Sequence, residues 1–426
     1  MIEKLYTNYL QYRGVSTDTR KISEGDIFFA LKGPNFNANA FAEDALNKGA
    51  SLAVIDDEAY AQDERYVVVE DTLSTLQQLA THHRKQLTIP VIGLTGSNGK
   101  TTTKELIDAV LSKKYRTLAT RGNLNNHIGV PLTILSIKPE HEIAIIEMGA
   151  NHQGEIARLC EIALPDHGLI TNIGKAHIEG FGGFEGVIKG KSELYQHLIN
   201  YDGVVWINSN NPILSNMAKR FKTPLFYPNP GDFYHCEFIE ANPHIVLKAE
   251  SGNTVHTQLI GSYNFENMAV ALCIGKYFNV PARDAESAIA SYNPVNNRSQ
   301  VISKEDFTII MDAYNANPSS MKSALENLLS MKGKKKAVIL GDMKELGVTS
   351  EEEHRNIGKW LKTSGIDTIY LYGNDMAYAA EECGAAKHFN EKSALKLALH
   401  DEDFTDYLIL LKGSRSMGLE EVLEDL

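Results

Sequence analysis

Short apolar runs that do not alternate recur through residues 88–298, and they restrict the fold more than any other feature of the chain. They are IPVIGLTG, IAIIEM (143–148), GLITNI (168–173) and GVVWIN (203–208), separated by segments of helix length. A strand with one wet face alternates apolar and polar residues. A run apolar at every position needs cover on both faces, which parallel strands flanked by helices provide. The first run leads into TTTKELIDAVLSKK, where Leu106, Ile107, Val110 and Leu111 fall on one helical face. From about residue 300 a second series follows, FTIIM, AVILGDM, TIYLYGND and YLILLKG, with helical segments between. That alternation is Rossmann-like.

The first 86 or so residues read as a smaller unit. GDIFFALKG and ASLAVIDD are strand candidates around a helical NAFAEDALNKGA, and the polar, basic THHRKQLTIP is expected to be a linker or a domain edge. The stretch 221–260 reads as short strands and turns, and SYNFENMAVALCIGKYFNV as a helix. The expectation is an α/β protein of three domains: a small α/β domain over 1–87, a central P-loop-type domain with a mostly parallel sheet over 88–298, and a C-terminal Rossmann-like domain over 299–426.

A net charge of −12 argues against a nucleic-acid partner. Cys160, Cys236, Cys273 and Cys383 lie far apart with no C-x-x-C pair, so neither zinc nor a disulfide framework is suggested. Scattered thiols fit a reducing cytosol. No apolar run nears the ~20 residues of a membrane span, and the N-terminal segment lacks a signal core. A cytoplasmic protein without a membrane span is expected.

TGSNGKTTTKE (95–105) lies between a strand and a helix, where helical N–H groups and the helix dipole hold phosphate. The usual G-x-x-x-x-G-K-[ST] would put glycine at Leu94, and here Gly93 and Gly96 lie to either side. Gly96 and Gly99 would let backbone approach phosphate, Lys100 would reach terminal phosphates, and Thr101 offers a hydroxyl to magnesium. The other reading is a capped helix start with a solvated Lys100. Glu147 ends IAIIE, facing the crevice where open α/β sheets bind ligands, and is placed for magnesium or for capping the next helix. His177, in GLITNIGKAHIEGFG, reads as ending a strand in the same way, as a ligand or a structural histidine. Lys191, in VIKGKSELY, reads on sequence alone as a surface lysine.

Further segments are GNLNNHIGVPLTIL (122–135), GSYNFENMAVAL, NNRSQ, MDAYNANPSSM, LGDMKELGVTSEEEH (340–354), LKGSRSMGLEEV (411–422) and, near the start, STDTRKISEGDIFFALKGPNFNANAF. Together these resemble the Mur ligase superfamily over nearly the whole chain. The family's shifted phosphate loop is T-G-[ST]-N-G-K-T-T, and its metal-ligand segment is similar to N-I-G-x-A-H-x-E. K-S-E-L-Y resembles its K-G-E-I-F. Y-N-A-N-P, L-G-x-M-x-E-L-G and K-G-S-R-x-M resemble the branch that adds a D-alanyl-D-alanine dipeptide. Two departures stand out: Asn297 where the family usually has glycine before the arginine, and Asn37, Ala38 and Asn39 where D-G-x-x-F is common.

The resemblance implies ATP contacts at Thr95, Gly96, Ser97, Asn98, Gly99, Lys100, Thr101 and Thr102, with Asn264 and Asn267 at the adenine, or Asn264 as a helix cap. Arg298 would be the hinge arginine, and Asp312 would help close the last domain onto the nucleotide. Two Mg2+ ions are implied, held by Thr101, Glu147, His177 and a carbamylated Lys191, with Lys189 as the neighbouring alternative. Lys100, Glu147, His177 and Lys191 would be catalytic. Substrate contacts are implied at Thr19 and Arg20 for the uridine nucleotide, at Asn125, Asn126, Asn315 and Asn317, and at Lys412, Ser414 and Arg415, some of which could cap the last helix. The implied activity joins D-alanyl-D-alanine to UDP-N-acetylmuramoyl-tripeptide through an acyl phosphate, in a monomer with small-molecule substrates only. The alternatives are a sibling ligase adding a single amino acid, a regulatory nucleotide-binding protein on a degenerate ligase fold, and a plain ATPase.

Overall fold

The computed structural model describes residues 1–294, 298–332 and 334–426, so Asn297 lies outside the described residues. The central sheet has six parallel strands in the order Leu225–Tyr227, Val204–Asn208, His167–Ile170, Val91–Thr95, Ile143–Glu147 and Thr117–Ala119. Its unalternating runs have the expected cause. Ala144 and Ile146 pack into one apolar cluster, Ile143 and Ile145 into the cluster on the opposite face. Leu106, Ile107, Val110 and Leu111, on the helix Lys100–Leu111, fill the second cluster and are completely buried.

The third unit repeats this scheme. Its order is Gln300–Ser303, Thr308–Asp312, Tyr407–Lys412, Lys335–Gly341, Thr368–Tyr372 and Lys387–Phe389, with only the first strand antiparallel. Ile310, Val338 and Leu410 face one core, Ile309, Ile339 and Leu411 the other. The first unit carries four parallel strands, Gly14–Ser16, Asp26–Phe29, Leu52–Ile55 and Tyr66–Val68. The stretch without an assigned order forms an antiparallel sheet of Glu237–Ala241, His244–Lys248 and Thr254–Ile260.

The linker alternative fails. THHRKQ is not a linker but the end of the helix Thr72–Gln86, which Asp71 caps by accepting from Ser74 N at 2.6 Å. His83 and Arg84 are buried in it. Arg84 donates to the carbonyls of Ala163 at 3.0 Å and Leu164 at 3.1 Å, and His83 Nε2 lies 3.0 Å from the carbonyl of Ile137. Polar side chains that satisfy distant carbonyls look like a solvated linker in sequence and act as joints in the fold. The apolar cluster on this side runs unbroken from Leu5 and Ile27 to Ile146 and Val205, so the first and central units share a core.

Candidate functional site

The strand Val91–Thr95 delivers the phosphate-type loop to the carboxyl end of the central sheet, and the helix Lys100–Leu111 leaves from it. Two glycines make that turn possible. Gly96 has φ 150° and a Cβ there would lie 2.0 Å from Thr171 Oγ1; Gly99 has φ 78° and a Cβ would lie 2.9 Å from Asn267 Oδ1. The loop is held by the chain following the next strand. Thr171 Oγ1 donates to Asn98 O at 2.6 Å, Asn98 N donates to Asn172 Oδ1 at 3.0 Å, and Ser97 Oγ donates to Gly174 O at 3.0 Å. Lys100 is half-buried rather than solvated and donates to Gly96 O at 2.9 Å. Burial lowers its pKa, and the Glu147 carboxylate opposes that shift. Thr101 and Thr102 are buried in the first helical turn.

Glu147 ends its strand and is 1% exposed. Asn125 Nδ2 donates to its Oε1 at 2.8 Å, Glu147 N donates to Thr120 Oγ1 at 2.9 Å, and Oε2 has no partner among the described residues. It caps no helix: the next one, Glu155–Ala163, starts behind Gly154. A buried carboxylate oxygen without a donor fits a site built for a cation. Asn126, also expected at the substrate, uses its Oδ1 to accept from Ile128 N at 3.1 Å and Gly129 N at 2.9 Å.

His177 does not end a strand. The strand stops at Ile170, and His177 lies in a left-handed turn (φ 53°) ahead of the helix Ile178–Phe181. The intervening residues fold back over the phosphate loop, which the apolar pattern does not reveal. Its Nδ1 contacts Glu345 of the third unit, whose carboxyl pKa is lowered by that contact.

Lys191 is not a surface lysine. It is fully buried on the helix Phe184–Asn200, donates to Ala150 O at 3.1 Å and lies 4.9 Å from the Phe181 ring centre. Burial first, then the nearby Lys100 charge, pushes its pKa well below the usual lysine range. Lys189 is exposed. Lys191 sits behind the cleft wall, which its carbonyl partner Ala150 lines.

The remaining expected residues divide. Asn267 accepts from Thr103 Oγ1 at 3.0 Å and donates to Asn264 Oδ1 at 2.8 Å, and Asn264 donates to Ile260 O at 2.9 Å. Asn264 occupies the N-cap position of Phe265–Tyr277 without a side-chain cap bond. Arg298 stacks 3.5 Å over the Tyr314 ring. Asp312 accepts from the buried Lys412 at 2.6 Å, and Lys412 also lies 3.3 Å from Asn315 O. Asn317 caps the helix Pro318–Ser330 and donates to Asn98 Oδ1 at 2.8 Å, joining the third unit to the loop. Arg415 is exposed and paired with Glu420 at 2.6 Å.

Ser414 is buried outside the cleft wall and accepts from Lys344 N at 2.9 Å. The segment beyond it is 3₁₀, Arg415–Met417 and Leu419–Asp425, not an α-helix, and Ser414 makes no cap bond. Thr19 and Arg20 stand apart from the cleft on the first unit, with Arg20 exposed and paired to Asp18 at 2.9 Å. The N-A-N departure keeps an ordered turn: Asn37 Oδ1 accepts from Asn39 N at 3.0 Å, and Asn39 Nδ2 donates to Asp56 Oδ1 at 2.7 Å.

Loop, Glu147, His177, Asn264, Arg298, Asp312 and Lys412 converge on one cleft of about 1010 Å³ between the central and third units. Sequence reasoning gave no role to Thr120, Thr171, Asn172, Tyr314 or Glu345. Polar residues directly after an apolar run, as in L-I-T-N, were the available signal for Thr171 and Asn172. A second convergence, Asp342, His354 and Asp375, is already satisfied. Lys344 Nζ lies 2.8 Å from Asp342 and 3.3 Å from Asp375, and His354 bonds Met343 N and Ser350 O.

Comparison with known proteins agrees along the chain. Residues 11–91 match the family model described as Mur ligase family, catalytic domain; 94–275 match Mur ligase middle domain; 297–415 match Mur ligase, glutamate ligase domain. The chain is 38% identical to a UDP-N-acetylmuramoyl-tripeptide–D-alanyl-D-alanine ligase of Bacillus subtilis (strain 168), over 97% of this chain and 93% of the relative. It is 36% identical to the Escherichia coli (strain K12) enzyme of the same name, with the same coverage. It superposes on MurF from Acinetobacter baumannii with TM-score 0.88 at 32% identity, covering 99% of this chain and 98% of that one. For Thermotoga maritima MurF in complex with ADP the TM-score is 0.86 at 29% identity, covering 98% and 97%.

Proposed function

The chain belongs to the Mur ligase family, and from that premise we propose that its cleft uses ATP to join D-alanyl-D-alanine to UDP-N-acetylmuramoyl-tripeptide, a step of peptidoglycan precursor synthesis. The observation that carries this reading is the shared cleft. A phosphate loop and a carboxylate with an open oxygen on the central unit face Asp312, Asn315 and Lys412 of the third. The relatives' names and the ADP-bound neighbour supply the substrate and the nucleotide. We divide the chain into domains at 87 and 298.

A free carboxylate is a poor electrophile because its leaving group would be oxide. In the proposed reaction a tripeptide carboxylate oxygen attacks the γ-phosphorus and ADP leaves. The dipeptide amine then attacks the acyl carbon, loses a proton, and phosphate departs from the tetrahedral intermediate to leave the amide. Loop N–H groups and Lys100 would meet the spread negative charge of both steps. Closing the third unit over the cleft excludes water from the acyl phosphate. Thr19 and Arg20 would hold the uridine end, away from the chemistry.

The donors present fit magnesium: a threonine hydroxyl at Thr101, the unpartnered Glu147 oxygen and the imidazole of His177. Bound Mg2+ would neutralise developing phosphoryl and oxyanion charge. We assign to Lys191 a carbamate, formed when its neutral amine nitrogen adds to CO2 and releases a proton. Burial that favours the neutral amine supports this, and the exposed Lys189 lacks that support.

Phosphate release from MgATP with UDP-N-acetylmuramoyl-tripeptide, with and without D-alanyl-D-alanine, tests the reading. Release that requires the dipeptide, with a product heavier by two alanines less one water, is expected. Release with a single amino acid would move the chain to a sibling activity, and no release with any acceptor would remove the ligase reading.

A further inference from the structure

The segment that follows the strand His167–Ile170 touches the third unit repeatedly between Gly174 and Glu179. Lys175 Nζ lies 2.6 Å from Glu353 Oε1, and Lys175 N donates to Ser319 Oγ at 3.1 Å. His177 contacts Glu345. Glu179 packs on Gly347 so closely that a Cβ there would lie 2.9 Å from Glu179 Cγ. Gly174, at the head of the segment, has the same closeness to Ser319, whose Oγ would lie 3.0 Å from an added Cβ. The same Gly174 exchanges hydrogen bonds with Ser97 of the phosphate loop. One strip of chain thus grips the loop on one side and the third unit on the other.

Of the two ion pairs the strip makes with the third unit among the described residues, Lys175–Glu353 is the one whose residues do not line the cleft, whereas His177 and Glu345 both do. The pair is asymmetric: the Glu353 side chain is 10% exposed and that of Lys175 is 51% exposed. Glu353 sits on the helix Ser350–Ser364 of the third unit, so the pair ties that unit to the strip. With the units apart, water solvates both groups. With the units together, Glu353 loses its water, and Lys175 is the cation that replaces it.

We propose that Lys175 and Glu353 form a latch for the closed arrangement, which sets the apparent affinity for the incoming amine without either residue touching it. Removing Lys175 leaves a carboxylate covered and unpaired in the closed state alone, so the equilibrium shifts toward the open one. The amine site is assembled from residues of both units, so its apparent affinity falls with the fraction closed. The kinetic side of this inference rests on the ligase reading; the conformational side does not.

The test is a double-mutant cycle of Lys175→Met, Glu353→Gln and the pair. It is read by small-angle X-ray scattering of the full chain with a non-hydrolysable ATP analogue and magnesium, and by KM and kcat for D-alanyl-D-alanine. Lys175→Met is expected to expand the particle and raise that KM about tenfold with little change in kcat, the size of a typical coupling between sites. Glu353→Gln, which leaves no buried charge, is expected to do less. The pair should return toward Glu353→Gln, because the orphaned carboxylate is gone. Wild-type scattering and KM for Lys175→Met would overturn the latch, and so would a double variant as impaired as Lys175→Met or worse. Scattering needs no turnover, so failure of the ligase reading in the wild-type protein would be seen separately.

Discussion

Asn125 Nδ2 donates to Glu147 Oε1 at 2.8 Å while the other oxygen of that carboxylate has no partner among the described residues. The amide fixes the plane of the carboxylate on a residue that lines the cleft. Such supporting bonds orient metal ligands, and disturbing them costs about 10–100-fold in affinity or activity. Asn125→Ala is therefore expected to weaken Mn2+ binding, followed by electron paramagnetic resonance, and activity within that range. Glu147→Gln keeps the shape and removes the charge, and is expected to abolish binding at the same site. Wild-type Mn2+ affinity in both variants would mean that the open oxygen serves no cation.

Gly99 and Gly122 separate two effects that substitutions in such loops usually mix. Both have positive φ, 78° and 55°, but a Cβ at Gly122 meets nothing within 4 Å, while one at Gly99 runs into Asn267. Asn267 cannot move aside easily, because Thr103 and Asn264 hold both ends of its amide. Gly122→Ala is expected to cost only the backbone strain of a non-glycine residue, about 1–3 kcal/mol. Gly99→Ala should cost that and also lower ADP affinity by displacing Asn267. Urea midpoints and ADP titrations of the two variants check this; equal ADP affinities would show that the Gly99–Asn267 contact is not felt at the nucleotide.

The parts of the fold that sequence revealed are those decided by short stretches acting alone. Ile143 to Ile146 announce a strand covered on both faces because each neighbour must go to a different core. Gly96 and Gly99 announce a tight turn from strand into helix because each takes a positive φ there. What stayed hidden depends on meetings between distant segments. His83 and Arg84 look solvated until Ile137, Ala163 and Leu164 supply carbonyls for them. Lys191 looks like any surface lysine until Phe181 and Ala150 enclose it. Glu345 has no visible role until the third unit places it on His177.

His83 gives the first unit a pH dependence of known sign. Its Nε2 donates to the carbonyl of Ile137, which leaves Nδ1 to accept from the Tyr6 hydroxyl at 3.1 Å. That arrangement uses the neutral ring, and burial is the main cause of its lowered pKa. With the folded pKa depressed, the unfolded chain binds a proton first as pH falls through about 6.5, so stability declines below that value until the folded pKa is reached. Urea midpoints of the wild type should fall from pH 7 to pH 5. His83→Gln is expected to flatten part of that slope. His83→Ala should lose about 1–3 kcal/mol at pH 7 by orphaning the Ile137 carbonyl. A slope unchanged by His83→Gln would assign the pH dependence elsewhere.

Lys191 carries the most exacting expectation. Its amine is enclosed, lies near Lys100 and has a pKa well below the usual lysine range, so between the folded and unfolded values the unfolded chain binds a proton that the native chain does not. Stability contributed by this residue therefore rises as pH climbs from the folded value toward the unfolded lysine value of about 10.4. Lys191→Met, which fills similar space without the amine, is expected to be more stable than the wild type at pH 7 when nucleotide and metal are absent, and that advantage should shrink toward pH 10. The same variant should lose activity by the roughly 10–100-fold typical of a disturbed metal-site partner. In 13C-labelled bicarbonate the wild type should show a carbamate carbon resonance that is missing from Lys191→Met and retained in Lys189→Met. A resonance that survives Lys191→Met and vanishes with Lys189→Met would transfer the modification to the exposed neighbour. No resonance in the wild type would leave Lys191 as a buried amine whose bond to Ala150 O serves the fold alone.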